Sequence, residues 1–156
     1  MDKNDFMKEA LKEAREGVVN NDGGPFGAVI VKDGKIVVSS HNEVIASFDP
    51  TAHAEILAIR RASEKLGRFD LSDCEIYSTC EPCPMCFAAI HWAKIKTLYF
   101  GCTKMDAADI GFDDKFIYDV IKGETQEKKL FSYPFQRDDC LLLFEEWKNK
   151  EDKMSY

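Results

Sequence analysis

His53, Glu55, Cys83 and Cys86 are the residues of this chain whose types and spacing can do chemistry together. They lie in two short clusters, Thr51-Ala52-His53-Ala54-Glu55 and Pro82-Cys83-Pro84-Met85-Cys86, which supply one imidazole, two thiols and a carboxylate. One imidazole and two thiolates suit zinc. A structural zinc site closes with four protein ligands, whereas three leave the last tetrahedral position to water. Glu55 is then free to exchange protons with that water, which is the division of labour hydrolysis requires. A closed site would need a further soft ligand and would leave Glu55 without a role.

Either cluster alone is ambiguous. Cys-x-x-Cys also occurs in redox pairs and in zinc ribbons, and a lone histidine is usually a core or surface residue. Together, H-x-E followed by P-C-x-x-C resembles the signature of the zinc nucleobase deaminases.

The elements that must carry these groups can be read from pattern. Met7, Ala10, Leu11, Ala14 and Val18 recur at helical spacing and mark an outer-layer helix. Asn20 to Pro25 breaks it, Phe26 to Val31 reads as a buried strand, and Asp33-Gly34 is a hairpin turn into a return strand from Lys35 to about His41. That strand delivers Asn42, which by local sequence alone reads first as a turn residue. Pro50 ends the extended run, Thr51 is a candidate cap, and a helix begins near His53 and stops at Gly67. Residues two apart on a helix point about 200° apart, so His53 and Glu55 can serve one metal only if the helix approaches end-on. The positive end of its dipole then faces the site.

Glu75 to Thr79 makes a third strand, and Cys83 and Cys86 share one face of the helix that follows, whose first turn accepts prolines. Its dipole favours thiolates. Phe87, Ile90 and Ala93 continue that helix, and Thr97 to Cys102 is a fourth strand, so strand, helix and strand imply parallel neighbours. Asp106 to Gly111 reads as a short helix. Asp113-Asp114 precedes the apolar positions Phe116, Ile117, Val120 and Ile121, and two adjacent acids there read first as a solvated helix start. After a linker at 123–129, Leu141, Leu142, Phe144 and Trp147 form the stripe of a last helix, and the chain ends at Tyr156, a position more often frayed than functional.

Composition narrows the partners. At 156 residues and 45% hydrophobic, one domain over 1–156 with a real core is expected, with 139–156 as a C-terminal helix and tail. The longest apolar runs, Ala28 to Val31 and Leu141 to Phe144, are too short to cross a bilayer, and no signal-like segment opens the chain, so a soluble, cytoplasmic protein is expected. Four further cysteines, Cys74, Cys80, Cys102 and Cys140, read as buried free thiols, with Cys80 near enough to the second cluster to support it. A formal net charge of −7 argues against a nucleic acid and for a small, uncharged substrate.

Over most of its length the chain resembles the cytidine deaminase superfamily, and more narrowly the bacterial guanine deaminases. The stretches that carry the likeness are G-G-P-F-G-A-V-I-V-K-D-G at 23–34, D-P-T-A-H-A-E at 49–55, C-E-P-C-P-M-C at 80–86, G-F-D-D-K-F-I-Y at 111–118 and the terminal Tyr. The first three are partly shared with tRNA adenosine deaminases, so the region around Asp114 and the C-terminus discriminates. The resemblance implies a three-layer α/β/α sandwich with a mixed central sheet and an antiparallel first hairpin. It implies one zinc ion on His53, Cys83 and Cys86, with Glu55 moving protons. It further implies that Asn42, Phe26, Ala54 and Trp92 contact a purine base, that Asp114 reads the guanine edge and helps a proton reach departing ammonia, and that Tyr156 closes the pocket. His41 and His91 gain no role. Such proteins are commonly homodimers, and the linker before the last helix would allow a C-terminal segment to be exchanged between chains.

Overall fold

The computed structural model describes residues 1–156. Its centre is a four-stranded sheet of β1 (Gly27–Lys32), β2 (Lys35–His41), β3 (Cys74–Cys80) and β4 (Thr97–Cys102) in the order β2-β1-β3-β4. β1 runs antiparallel to β2 and to β3, and β3 runs parallel to β4. The sheet is therefore mixed, with the antiparallel hairpin first. Asp33 (φ 49°) and Gly34 (φ 70°) both turn with positive φ, the backbone of a two-residue turn that matches strand twist.

Alternation along β1 separates two cores. Val29 and Val31, with Tyr77 of β3, face α1 (Lys3–Val19) through Phe6 and Ala10. Ala28 and Ile30, with Cys74 and Ile76, face the other layer, where α3 (Ala54–Leu66) contributes Ala54, Ala58 and Ala62 and α4 (Pro84–Trp92) contributes Ile90. Helices thus cover both faces of the sheet. A single-turn α2 (Val44–Ser47) lies between β2 and α3, and α5 (Lys104–Asp109), α6 (Lys115–Lys122) and α7 (Arg137–Asn149) follow β4.

The structure departs from the sequence reading in three places. α1 buries Phe6, Ala10, Ala14 and Gly17, while Leu11 and Val18 are exposed, because the small side chains let the helix lie close on the sheet. Thr51 does not cap α3. Its N–H and hydroxyl both donate to Asp49, and His53, in extended backbone, is the residue that precedes the helix. Cys102 and Cys140 are exposed, since β4 is an edge strand at its end and α7 buries no residue.

His41 ties the first layer together. Its Nδ1 meets Glu13 of α1 and its Nε2 meets Asp22 of the following loop, each at 2.9 Å, and a Cβ on Gly17 would stand 2.7 Å from the ring. Two carboxylates ask both ring nitrogens to donate. Burial works against the charged ring, but the bonds to Glu13 and Asp22 outweigh it and raise its pKa above 6.5. The ion pair therefore stabilises the fold fully below pH 6.5 and is lost as pH rises through the raised folded value. The stability gap between wild type and His41→Gln is expected to be widest near pH 6 and to shrink above it; urea melts that give the same gap up to pH 8.5 would show a neutral ring.

Close approach of α1 rests on Gly27, where a Cβ would lie 2.0 Å from the Ala10 carbonyl oxygen. Gly27→Ala should cost about 1–3 kcal/mol by forcing backbone apart. Gly34→Ala, with open space around it, should cost about 1 kcal/mol for its positive φ alone. Equal unfolding midpoints for the two variants would contradict the close approach.

Candidate active site

Two helix N-termini meet near the carboxyl end of β3. His53 occupies the position before α3, with φ −71° and ψ 153°, and Cys83 the same position before α4, with Pro84 as the first helical residue. Proline is well placed there because the first-turn N–H groups have no helical partner. His53 Nδ1 lies 3.5 Å from Cys83 Sγ and 3.6 Å from Cys86 Sγ. A tetrahedral zinc with nitrogen and sulfur at their usual bond lengths sets an N···S edge of about 3.5 Å. The donor set and its spacing therefore fit zinc, with all three donor atoms within 4.8 Å of one another. The Cys83 thiol is brought down to about 4, first by its hydrogen bond with Cys86 and then by His53, against the opposing effect of burial. Its nearness in turn raises the pKa of His53.

Glu55 is buried in the first turn of α3, at 6% exposure. The Ser78 hydroxyl donates to one carboxylate oxygen at 2.9 Å, and the Cys86 thiol approaches the other at 3.4 Å. Burial raises the pKa of Glu55, and the Ser78 bond only partly offsets this. A buried carboxyl shifted upward beside a metal-ligand set is a candidate proton carrier. Ser78 was not singled out by sequence reasoning. The period-2 alternation of β3 puts Cys74, Ile76 and Ser78 on the α3 side, and a polar residue among them is the signal that was there to be used.

These groups open into a cavity of about 720 Å³. Phe26, Asn42 and Asp114 line it, together with His53, Glu55 and Cys83. Asn42 is buried, and its side-chain oxygen accepts from the Val44 N–H at 3.1 Å, which leaves the amide nitrogen as a donor for the cavity. Its backbone N–H donates to the Phe26 carbonyl, so the two residues move as one. Asp114 precedes α6, but its side chain makes no capping bond there; Asp113 takes the Lys115 N–H instead. Burial and then the charge of Cys83 raise the pKa of Asp114. Phe112, within the quoted 111–118 stretch but without a role in the sequence reading, also lines the cavity and meets Phe26 edge-on with ring centroids 5.0 Å apart. Cys80 lines the cavity too, with its Sγ 3.6 Å from the Thr103 carbonyl.

Three expected substrate contacts are not on this cavity. Ala54 is fully buried in the core between α3 and the sheet. Trp92 ends the nine-residue helix that Cys83 begins, and is 71% exposed. A helix of that length separates its ends by roughly 13 Å, so Trp92 sits at the end of α4 remote from Cys83 and does not line the cavity. Tyr156 is also exposed and sits against Trp92 and Phe69, with centroids 6.4 and 6.2 Å away. His91 is exposed, with Nδ1 2.8 Å from the Phe87 carbonyl oxygen in its own helix.

Comparison with known proteins matches this architecture. A family model described as the cytidine and deoxycytidylate deaminase zinc-binding region matches residues 1–102. Guanine deaminase of Bacillus subtilis is 47% identical over 151 residues, 97% of each chain. A tRNA-specific adenosine deaminase of Agrobacterium fabrum is 48% identical over 96 residues, 62% of each. The X-ray structure of the Bacillus subtilis guanine deaminase superimposes with a TM-score of 0.94 at 46% identity, covering 100% of this chain and 99% of that one. With the family model spanning both clusters and a relative matched almost end to end, the chain belongs to the cytidine and deoxycytidylate deaminase family.

Proposed function

We propose that the chain hydrolyses guanine to xanthine and ammonia. The observation that carries this reading is a single cavity lined by His53, Cys83 and Glu55 together with Asn42 and Asp114. Likeness to the Bacillus subtilis guanine deaminase covers 151 residues and so includes the stretch around Asp114, whereas the Agrobacterium fabrum relative matches over 96.

In this reading His53, Cys83 and Cys86 would hold zinc, which would supply the Lewis acidity that brings the pKa of water to about 7. The Glu55 carboxylate accepts one proton from the attacking water and passes it to the ring nitrogen, where it stays in the product; it then carries the second, from the hydroxyl now on the amine-bearing carbon, to the amine, which departs as ammonia as the carbonyl forms. The Ser78 hydroxyl holds one Glu55 oxygen, so the other is the one that moves the proton. Asn42 donates its amide hydrogens to purine acceptors. Asp114 accepts from the ring N–H and amine of guanine, a pattern that cytosine and adenine do not present. Phe26 packs on the ring.

Trp92 and Tyr156 enter this scheme from a second copy of the chain. They are neighbours of one another, both exposed, and both off their own cavity. The apolar stripe of α7, with Leu142, Phe144 and Trp147, is exposed as well, an area of a kind that marks association. A homodimer that exchanges its C-terminal segments would cover that stripe and bring both aromatics to the partner's cavity.

Ammonia release should be seen with guanine and not with cytosine, adenine or a tRNA anticodon stem-loop. Glu55→Gln should keep one zinc per chain and lose about 10²–10⁴-fold in kcat. Turnover of another base in place of guanine would overturn the substrate, and loss of zinc with activity would make Glu55 structural. Dilution until dimers dissociate should lower turnover per chain; an unchanged value would exclude an exchanged segment from the pocket.

A further inference from the structure

We infer that Tyr118 is a positioning residue that latches the helix carrying Asp114 onto the loop carrying Cys83, an inference that rests on the guanine deaminase reading for its effect on turnover. The Tyr118 hydroxyl donates to the Pro82 carbonyl oxygen at 2.9 Å, across 36 positions of chain. Pro82 is buried and directly precedes Cys83. Asp114 and Tyr118 are one helical turn apart and share a face of α6, and the Tyr118 N–H donates to the Asp114 carbonyl at 3.2 Å. A single phenol therefore joins the two walls of the cavity, one bearing the donors for metal and the other the carboxylate for the substrate edge.

Nothing else in α6 does this. The helix buries no residue, Ile117, Val120 and Ile121 are about half or more exposed, and its other side-chain bonds stay within 113–119. The ring of Tyr118 is gripped a second time by α5, where the Lys104 ammonium lies 4.8 Å over its centroid. Lys104 also fastens the other half of the loop, since its backbone N–H donates to Glu81 at 3.0 Å. Glu81-Pro82 is thus held by Lys104 and Tyr118 together, immediately before the first thiolate. Without the hydroxyl the Pro82 carbonyl loses its donor and α6 loses its only hydrogen bond to the sheet-bound part of the site. Asp114 then samples positions out of register with Glu55.

The test is Tyr118→Phe in the full-length, zinc-loaded protein, alone and combined with Asp114→Asn. Tyr118→Phe is expected to retain one zinc per chain, to lower kcat/KM for guanine at least tenfold, and to quicken amide exchange across 115–122 at least fivefold while 54–66 is unchanged. In the Asp114→Asn background the same change should cost less than twofold, because a residue acting through Asp114 has nothing left to position. An equal loss in both backgrounds, full activity in the single variant, or unchanged exchange across 115–122 would each overturn the latch. If the wild type itself releases no ammonia from guanine, the proposed function has failed, and exchange across 115–122 alone then decides whether the latch exists.

Discussion

Bringing two helix N-termini face to face is electrostatically unfavourable unless something negative lies between them. Each end carries about half a positive charge from its unpaired N–H groups. Here the ends of α3 and α4 meet over His53, Cys83 and Cys86, with Glu55 just behind. The lowered pKa of the Cys83 thiol favours a negative charge between them, which offsets the repulsion. The sheet supplies the rigid frame. α3 is seated by Ala54, Ala58 and Ala62 on β1 and β2, and α4 is the crossover between parallel β3 and β4, so neither end can retreat without unpacking a core.

The alternation of β3 then decides what stands beneath the donors. The residues on its α3 side end in Ser78, which holds the Glu55 carboxylate, and Cys80, at the cavity wall. One residue of slip would turn these outward and present Tyr77 and Thr79 instead. Thr79 on the opposite face accepts from the Gly27 N–H, and so fixes the start of β1, whose neighbour Phe26 lines the cavity. Register, more than any single contact, sets the distance between the proton-moving carboxylate and the metal-ligand set.

Much of this was legible in the chain. Asp33-Gly34 marked the hairpin, Gly67 the end of α3, and the two short clusters the meeting point, because each of these depends on residues adjacent in sequence. What was not legible depends on distance or on company. Leu11 and Val18 have the right spacing for a buried stripe, yet small residues won the inner face of α1 by allowing closer approach. Thr51 looked like a cap, but Asp49 took its hydroxyl. Periodicity correctly marked the α7 stripe as apolar without saying that its own chain offers nothing to bury it. Trp92 and Tyr156 carry no local sign that the fold leaves them exposed and off the cavity of their own chain.

The outer border of β4 has a further implication. It pairs with β3 on one side only, and its last three residues are exposed, so a row of backbone donors and acceptors is left for any extended peptide to join. A freshly synthesised chain is therefore adhesive along that border and along α7 at once. Recovery of well-behaved material should favour conditions in which like chains meet before foreign strands do.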